Sequence, residues 1–200
     1  MKINFFFNKT IRFIYRHYKK CIWRICTAFE LLYLYAIGVK IGDKMSFIGW
    51  TSFFLEDDSH VSIGQDCMFI SDGAKNHIGI NHRCIIATHN KEAVVSIGDR
   101  VGMSGSTINC WNSITIGDDV RIGANCTIMD SDFHVDDPRV SEPRPIVIKD
   151  GAWIGANVVV MKGVTIGKNA VIGMNSVVTK DIEDDAIAAG VPCKTIRINK

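Results

Sequence analysis

The run from Ile148 to Ile182, IKDGAWIGANVVVMKGVTIGKNAVIGMNSVVTKDI, keeps a period of six residues. Ile148, Ile154, Val160, Ile166, Ile172 and Val178 share one phase, and Ala152, Val158, Val164, Ala170, Ser176 and Ile182 each follow four positions later. Gly155, Gly167 and Gly173 come directly after three of the aliphatics. An amphipathic helix repeats at three and four and a half-buried strand at two, so six fits neither. It fits a parallel β-helix, in which each unit is a short strand plus a corner and the aliphatic points into the stack. The glycines, and Asn157, Asn169 and Asn175 near them, are expected to take the positive-φ corner conformation that β-branched residues resist.

The same rhythm extends toward the N-terminus with interruptions. Ile116-Gly117, Ile122-Gly123 and Ile128 are six apart, whereas Ile41-Gly42, Ile48-Gly49, Ile63-Gly64, Ile78-Gly79 and Ile97-Gly98 are separated by insertions rich in Asp, Asn, His and Gly. Between Asp130 and Pro145 the period breaks, and this break holds three of the four prolines and His134. Three hexapeptides make one coil, so a repeat domain over residues 39–183 predicts about seven coils at the ordinary strand spacing of about 4.8 Å. A helical segment, 1–38, precedes it and a tail, 184–200, follows. Counting does not set the hand of the coil.

At 200 residues, 47% hydrophobic and 22% charged, the chain suits one globular domain with an appendage. Its net charge of +2 names no partner, but the distribution does: Lys2, Lys9, Arg12, Arg16, Lys19, Lys20 and Arg24 face only Glu30 among the first 35 residues. Seven cysteines without a Cys-x-x-Cys pair resemble neither a disulfide framework nor a zinc knuckle. Cys67, Cys84 and Cys126 fall at repeat positions and read as core, which with the odd count points to a reducing cytoplasm. The early apolar run is too short for a secretory leader and lacks a small-residue cleavage site.

Residues from about Thr10 to Ile37 read as an amphipathic helix. Ile11, Ile14, Tyr15, Tyr18, Ile22, Ile25, Phe29 and Leu32 share one face, with Lys9, Arg12, Arg16, Lys19, Lys20 and Arg24 opposite. The apolar face is expected to cap the open end of the solenoid, where backbone edge groups need cover. The same helix also suits peripheral contact with an anionic membrane on its inner, cytoplasmic side. No groove-reading motif accompanies the charge, so nucleic acid is not an expected partner.

From Ile114 onward the chain resembles the hexapeptide-repeat acyltransferases, in particular the galactoside and maltose acetyltransferases and polysaccharide O-acetyltransferases. The likeness is carried by Trp153-Ile-Gly-Ala156, the run Val160 to Gly167, Val177-Val-Thr-Lys-Asp181 and Ala188-Ala-Gly-Val-Pro-Cys-Lys-Thr-Ile-Arg197. The resemblance implies an all-β, left-handed parallel β-helix, a homotrimer with active sites between subunits, and acetyl-CoA as acyl donor. The expected activity is O-acetylation of a saccharide acceptor in surface-polysaccharide or lipid-linked saccharide synthesis.

Such transfer needs a base for the hydroxyl proton, and an imidazole titrates near working pH. His134 matches the family's catalytic histidine. Asp130 and Asp132 are close enough in sequence to orient its ring, and which does so is left open. The resemblance makes the Ala156 backbone N–H the oxyanion donor and Trp153 a packing residue for the cofactor arm. It places Met174, Thr179 and Lys180 in the coenzyme groove and Lys194 and Arg197 against its phosphates. Met174 stands where relatives carry a small residue, and Lys194 where they often carry Arg, a better phosphate fork. On the acceptor side, Ser104, Ser106, Asn109 and Trp111 lie about one coil before His134, as sugar-binding groups or as turn residues.

Three rival readings remain. His60, His77, His82 and His89 raise a zinc site like that of the γ-class carbonic anhydrases, although their spacing does not match that pattern well and no metal is expected. An amino-sugar N-acetyltransferase uses the same parts. A β-helix scaffold without catalysis is the third, because a fold does not establish an activity.

Overall fold

The computed structural model describes residues 2–134 and 136–199; in the N-terminal helix, side chains are described at residues 9, 11, 13, 14, 17 and 18 and from 21 onward. After the helix Lys2–Ala36, the chain winds through strands of two to four residues that form three parallel sheets, with one antiparallel strand added at the C-terminal end. The first coil is Lys40–Ile41, Ser46–Ile48 and Ser52–Phe54, one strand for each sheet. Six such coils are complete, and Ile182 and Ala186–Ala189 begin a seventh, so the second sheet runs beyond residue 183.

The six-residue phase becomes three columns of stacked side chains. Ile41, Ile63, Ile97, Ile116, Ile148 and Ile166 pair in register down the first sheet. Phe47, Phe69, Met103, Ile122, Ile154 and Ile172 do so down the second, and Phe53, Ile86, Ile108, Ile128, Val160 and Val178 down the third. All but the half-buried Ile41 are buried. Two expected repeat units are displaced. Phe47, not Ile48, holds the inward place in the first coil, and Ile78-Gly79 lies outside the ladder with Ile78 exposed. Ile78 belongs instead to an insertion between Ile70 and Ile85 that contains a short 3₁₀ turn, Gly73–Lys75.

Corners divide their work between two residue types. Asn157, Asn169 and Asn175 adopt φ of 56°, 54° and 58°, as expected. Gly155, Gly167 and Gly173 do not take positive φ; they are needed for space. A Cβ on Gly155 would sit 2.7 Å from the Met174 nitrogen and 2.8 Å from the Ile172 oxygen, both backbone atoms of the next coil. Aspartates finish the corner between the first and second sheets: Asp118 accepts from the Asp99 N–H at 2.9 Å and Asp150 from the Asp118 N–H at 3.0 Å.

The helix covers the first coil, but with a different face from the one expected. Leu34 joins Met45, Phe47 and Phe53 in the core, Thr27 Oγ1 meets the Phe47 N–H at 3.2 Å, and Glu30 Oε1 accepts from the Thr51 N–H at 2.8 Å. Ile25, Phe29 and Leu32, which were expected to form the cap, point to solvent. The side chains of Tyr15, Arg12, Arg16, Lys19 and Lys20 lie outside the described residues.

Glu30 is fully buried, and its second oxygen has no hydrogen-bond partner among the described residues. Burial pushes its carboxyl up to about 7, against the hydrogen bonds from Thr51 and the charge of Arg83. Because the folded value lies above the unfolded one, the protonated carboxyl stabilises the docked helix fully below about pH 4.5. That contribution declines as pH rises toward 7. Glu30→Gln, which stays neutral, should therefore exceed the parent in stability by about 1–3 kcal/mol at pH 8. The gain should vanish near pH 4.5, and urea denaturation at the two pH values checks this.

Candidate active site

Insertions leave the stack only at corners, and the corner between the third and first sheets gathers several of the site residues read from sequence. Residues 89–93, 111–112 and 130–145 all emerge there, from successive coils. The longest of them turns back along this edge, so that Glu142 and Pro143 meet Asn90, Glu92, Trp111 and Asn112 around a cavity of ≈ 320 Å³.

Two buried charges fix the ends of this loop. Asp130 is fully buried, and its carboxylate accepts the backbone N–H groups of Trp111, Asn112 and Ser113 at 2.7, 2.7 and 2.8 Å. Its oxygens are committed to the turn of the neighbouring coil, so Asp130 does not orient His134. Asp132 instead pairs with Lys162 at 2.6 Å, and Lys162 also donates to the Ser141 carbonyl at 2.6 Å. This one ammonium, itself buried, ties the two limbs of the loop together. Neither aspartate is hydrogen-bonded to the His134 ring among the described residues.

His134 is exposed at the apex, its backbone N–H bonded to the Asp132 carbonyl at 2.9 Å. Phe133 before it has φ of +66°, a conformation that costs free energy for a bulky residue and that surrounding contacts must hold. One such contact is the edge of its ring against His89, with centroids 4.8 Å apart, and His89 also lies parallel to Trp111 at 6.4 Å. His89 Nε2 is 3.3 Å from Asn109 Oδ1. Asn109, Trp111, Phe133 and His89 thus form one polar-aromatic wall beside the base candidate. Phe133, Lys162 and the lining residues Glu92 and Glu142 were not singled out from sequence; a lysine inside the tight repeat, one coil beyond Asp130, was the available signal.

Other expected site residues stand elsewhere. Ser106 is buried, and its hydroxyl donates toward the Ser104 and Gly123 carbonyls while accepting the Cys126 N–H, so it completes a corner and cannot meet an acceptor. Ser104 lies outward on the second sheet. Ala156 and Met174 sit at the corner between the second and third sheets, and Trp153 projects from the second sheet. Among the described residues the Ala156 N–H has no acceptor. Thr179 and Lys180 share the edge of the His134 loop two coils further on, whereas Lys194 and Arg197 lie on the final, antiparallel strand. One chain therefore does not bring His134 and Ala156 together; they occupy different edges of the prism.

His60 is exposed on a strand of the first sheet, His77 and His82 are exposed on the insertion between Ile70 and Ile85, and His89 belongs to the aromatic wall. Among the described residues no three of His, Cys, Asp and Glu stand close enough to hold a metal ion. Burial raises the thiols of Cys67, Cys84, Cys126 and Cys193, and burial and then the Asp130 charge raise that of Cys110, so these five stay protonated at neutral pH.

Comparison with known proteins agrees with this geometry. Residues 145–180 match the family described as bacterial transferase hexapeptide (six repeats), and residues 113–129 match the hexapeptide repeat of succinyl-transferase. A provisionally named acetyltransferase of Staphylococcus aureus (strain COL) is 43% identical over 149 residues, covering 59% of this chain and 74% of the relative. The chain belongs to the hexapeptide-repeat acetyltransferases. Galactoside O-acetyltransferase of Escherichia coli (strain K12) is 45% identical over 89 residues, 42% of this chain, which spans only 44% of that relative's length. Among solved structures, a hexapeptide-repeat acetyltransferase from Vibrio cholerae in complex with acetyl-coenzyme A is similar at 27% identity and a TM-score of 0.50, covering 80% of this chain and 70% of that one. The three-sheet prism is the left-handed parallel β-helix of this family, an exception to the right-handed rule for parallel crossovers.

The scaffolding role of Asp130 has a direct check. Asp130→Ala removes the buried carboxylate that three part-buried backbone N–H groups share, and should lower unfolding stability by about 2–4 kcal/mol in urea titrations. Asp132→Ala, at a part-exposed pair, should cost less.

Proposed function

We propose that this chain is an acetyl-CoA-dependent acetyltransferase acting on a saccharide hydroxyl, with His134 as general base. The observation that carries the reading is the presentation of His134. A pinned loop and a strained Phe133 hold an imidazole outward beside a polar-aromatic wall, with no ring hydrogen bond among the described residues. The ring nitrogen takes the hydroxyl proton as the acceptor oxygen attacks the thioester carbonyl. The Ala156 N–H donates to the oxyanion. The carbon–sulfur bond then breaks, and the leaving thiolate recovers the proton from the imidazolium. No cysteine is needed as a covalent carrier, which fits the five buried, protonated thiols.

Separation of His134 from Ala156 within one chain supports a site completed between neighbours in a homotrimer, the loop of one chain facing the Trp153–Met174 edge of the next. Thr179, Lys180, Lys194 and Arg197, all exposed, are assigned to the coenzyme. Asn109 and Trp111 are assigned to the acceptor, a surface-polysaccharide or lipid-linked saccharide. Seven unpaired cysteines support a reducing compartment such as the cytoplasm, where acetyl-CoA is made available.

One observation favours a second reading. The cavity beside the loop is lined by Glu92, Glu142, Asn90 and Asn112, a carboxylate and amide set that would hold an ammonium group, as an amino-sugar acceptor supplies. Coenzyme A release measured on matched hydroxyl and amino sugars separates the two.

Loss of the base should be visible in turnover. His134→Ala should lower kcat by about 10²–10⁴-fold with little change in coenzyme A affinity by calorimetry; undiminished kcat removes the assignment. Light scattering should give three times the 22.2 kDa chain mass.

A further inference from the structure

The N-terminal helix packs a mixed face on the β-helix and leaves an apolar one uncovered. Thr27, Glu30 and Leu34 turn toward the first coil. At the helical advance of 3.6 residues per turn, Ile14, Tyr18, Ile25, Phe29 and Leu32 fall within a sector of roughly 60° on the opposite side. These five are 56–65% exposed, and no charged residue interrupts them. A continuous apolar stripe of this kind on a soluble protein marks an interaction surface.

We propose that the stripe docks on an anionic lipid bilayer, lying in the plane of the headgroups. Charge selects this occupant. The first 29 residues contain seven Lys and Arg and no Asp or Glu, and the first acid, Glu30, is buried against the β-helix. The basic residues lie across the helix from the stripe, the arrangement of a helix embedded in the interface with its polar face to water, and an anionic surface attracts their charge. Geometry agrees: the β-helix packs on the far side of the helix, so a flat surface reaches the stripe unobstructed. Tyr18 and Phe29 bring the amphipathic or aromatic bulk found at membrane interfaces. Among the described residues no helix is long and apolar enough to cross a membrane, which leaves contact in the interface. This inference is independent of the acetyltransferase reading.

The test is flotation of the full-length protein with phosphatidylcholine vesicles, with and without an equal part of phosphatidylglycerol. The parent should float with the anionic vesicles only and be released by added salt. Phe29→Asp with Leu32→Asp, on the solvent side, should weaken partition at least about tenfold while melting temperature and elution volume hold. Should that pair disturb folding, Ile14→Asp, nine residues before Trp23, whose ring meets the Lys75 ammonium at 4.2 Å, gives the same readout. Failure of the parent to float, or undiminished flotation of a folded variant, overturns the proposal. So does a variant that breaks the parent assembly into smaller species, which would assign the stripe to a second copy of the chain.

Discussion

Each coil must approach the next to the hydrogen-bonding distance of paired strands, about 4.8 Å, at its corners as well as along its faces. That demand explains the residues that recur. Inward aliphatics fill the prism and stack on their own kind. Glycines follow them because the neighbouring backbone occupies the place of a Cβ, as Met174 and Ile172 do at Gly155. Polar residues with positive φ then turn the chain. No face can accept an inserted residue without shifting the register of everything beyond it. Only corners can lengthen, so chemistry collects there.

The loop at residues 130–145 shows how an insertion is held against the scaffold. Its carboxylate at Asp130 organises the turn at residues 111–113, and the Lys162 ammonium on the next coil draws both limbs onto the stack. Removing charge from water is costly unless it is met by hydrogen bonds; here Asp130 is met by three successive backbone N–H groups and Lys162 by one partner on each limb of the loop. The outcome is a loop that behaves as an extension of the scaffold. On it, the strained Phe133 is affordable, because the wall of His89 and Trp111 is in place to meet its ring.

Much of this was legible in the sequence, and the exceptions share a cause. The run from Ile148 to Ile182 specified strands, columns and corners because each residue there answers only to local repetition. In the first two coils the inward places are held by Phe47, Phe53 and Phe69, so an Ile-Gly pattern misplaced Ile48 and took Ile78 for a repeat. The helix was found, but its docking side was not: the wider apolar stripe was the natural choice, whereas a mixed face containing Thr27 and Glu30 matches free backbone groups at Phe47 and Thr51. His134 announced itself by breaking the period. The partner of Asp132 did not, since Lys162 is 30 residues away and is brought near only by coil stacking. Asp130, adjacent in sequence to the loop, serves amides that precede it by a full coil.

The two ends of the stack are finished differently. A helix covers the first coil, while the strand Lys194–Ile198 folds back antiparallel on Ala186–Ala189 at the last. Antiparallel pairing interrupts the polarity that a further parallel coil would have to continue. Solenoids with bare termini can propagate end to end into filaments; here a helix lies over one pole, and at the other the second sheet ends on a strand of reversed direction. The flanks of the prism, by contrast, are where the corner loops are displayed.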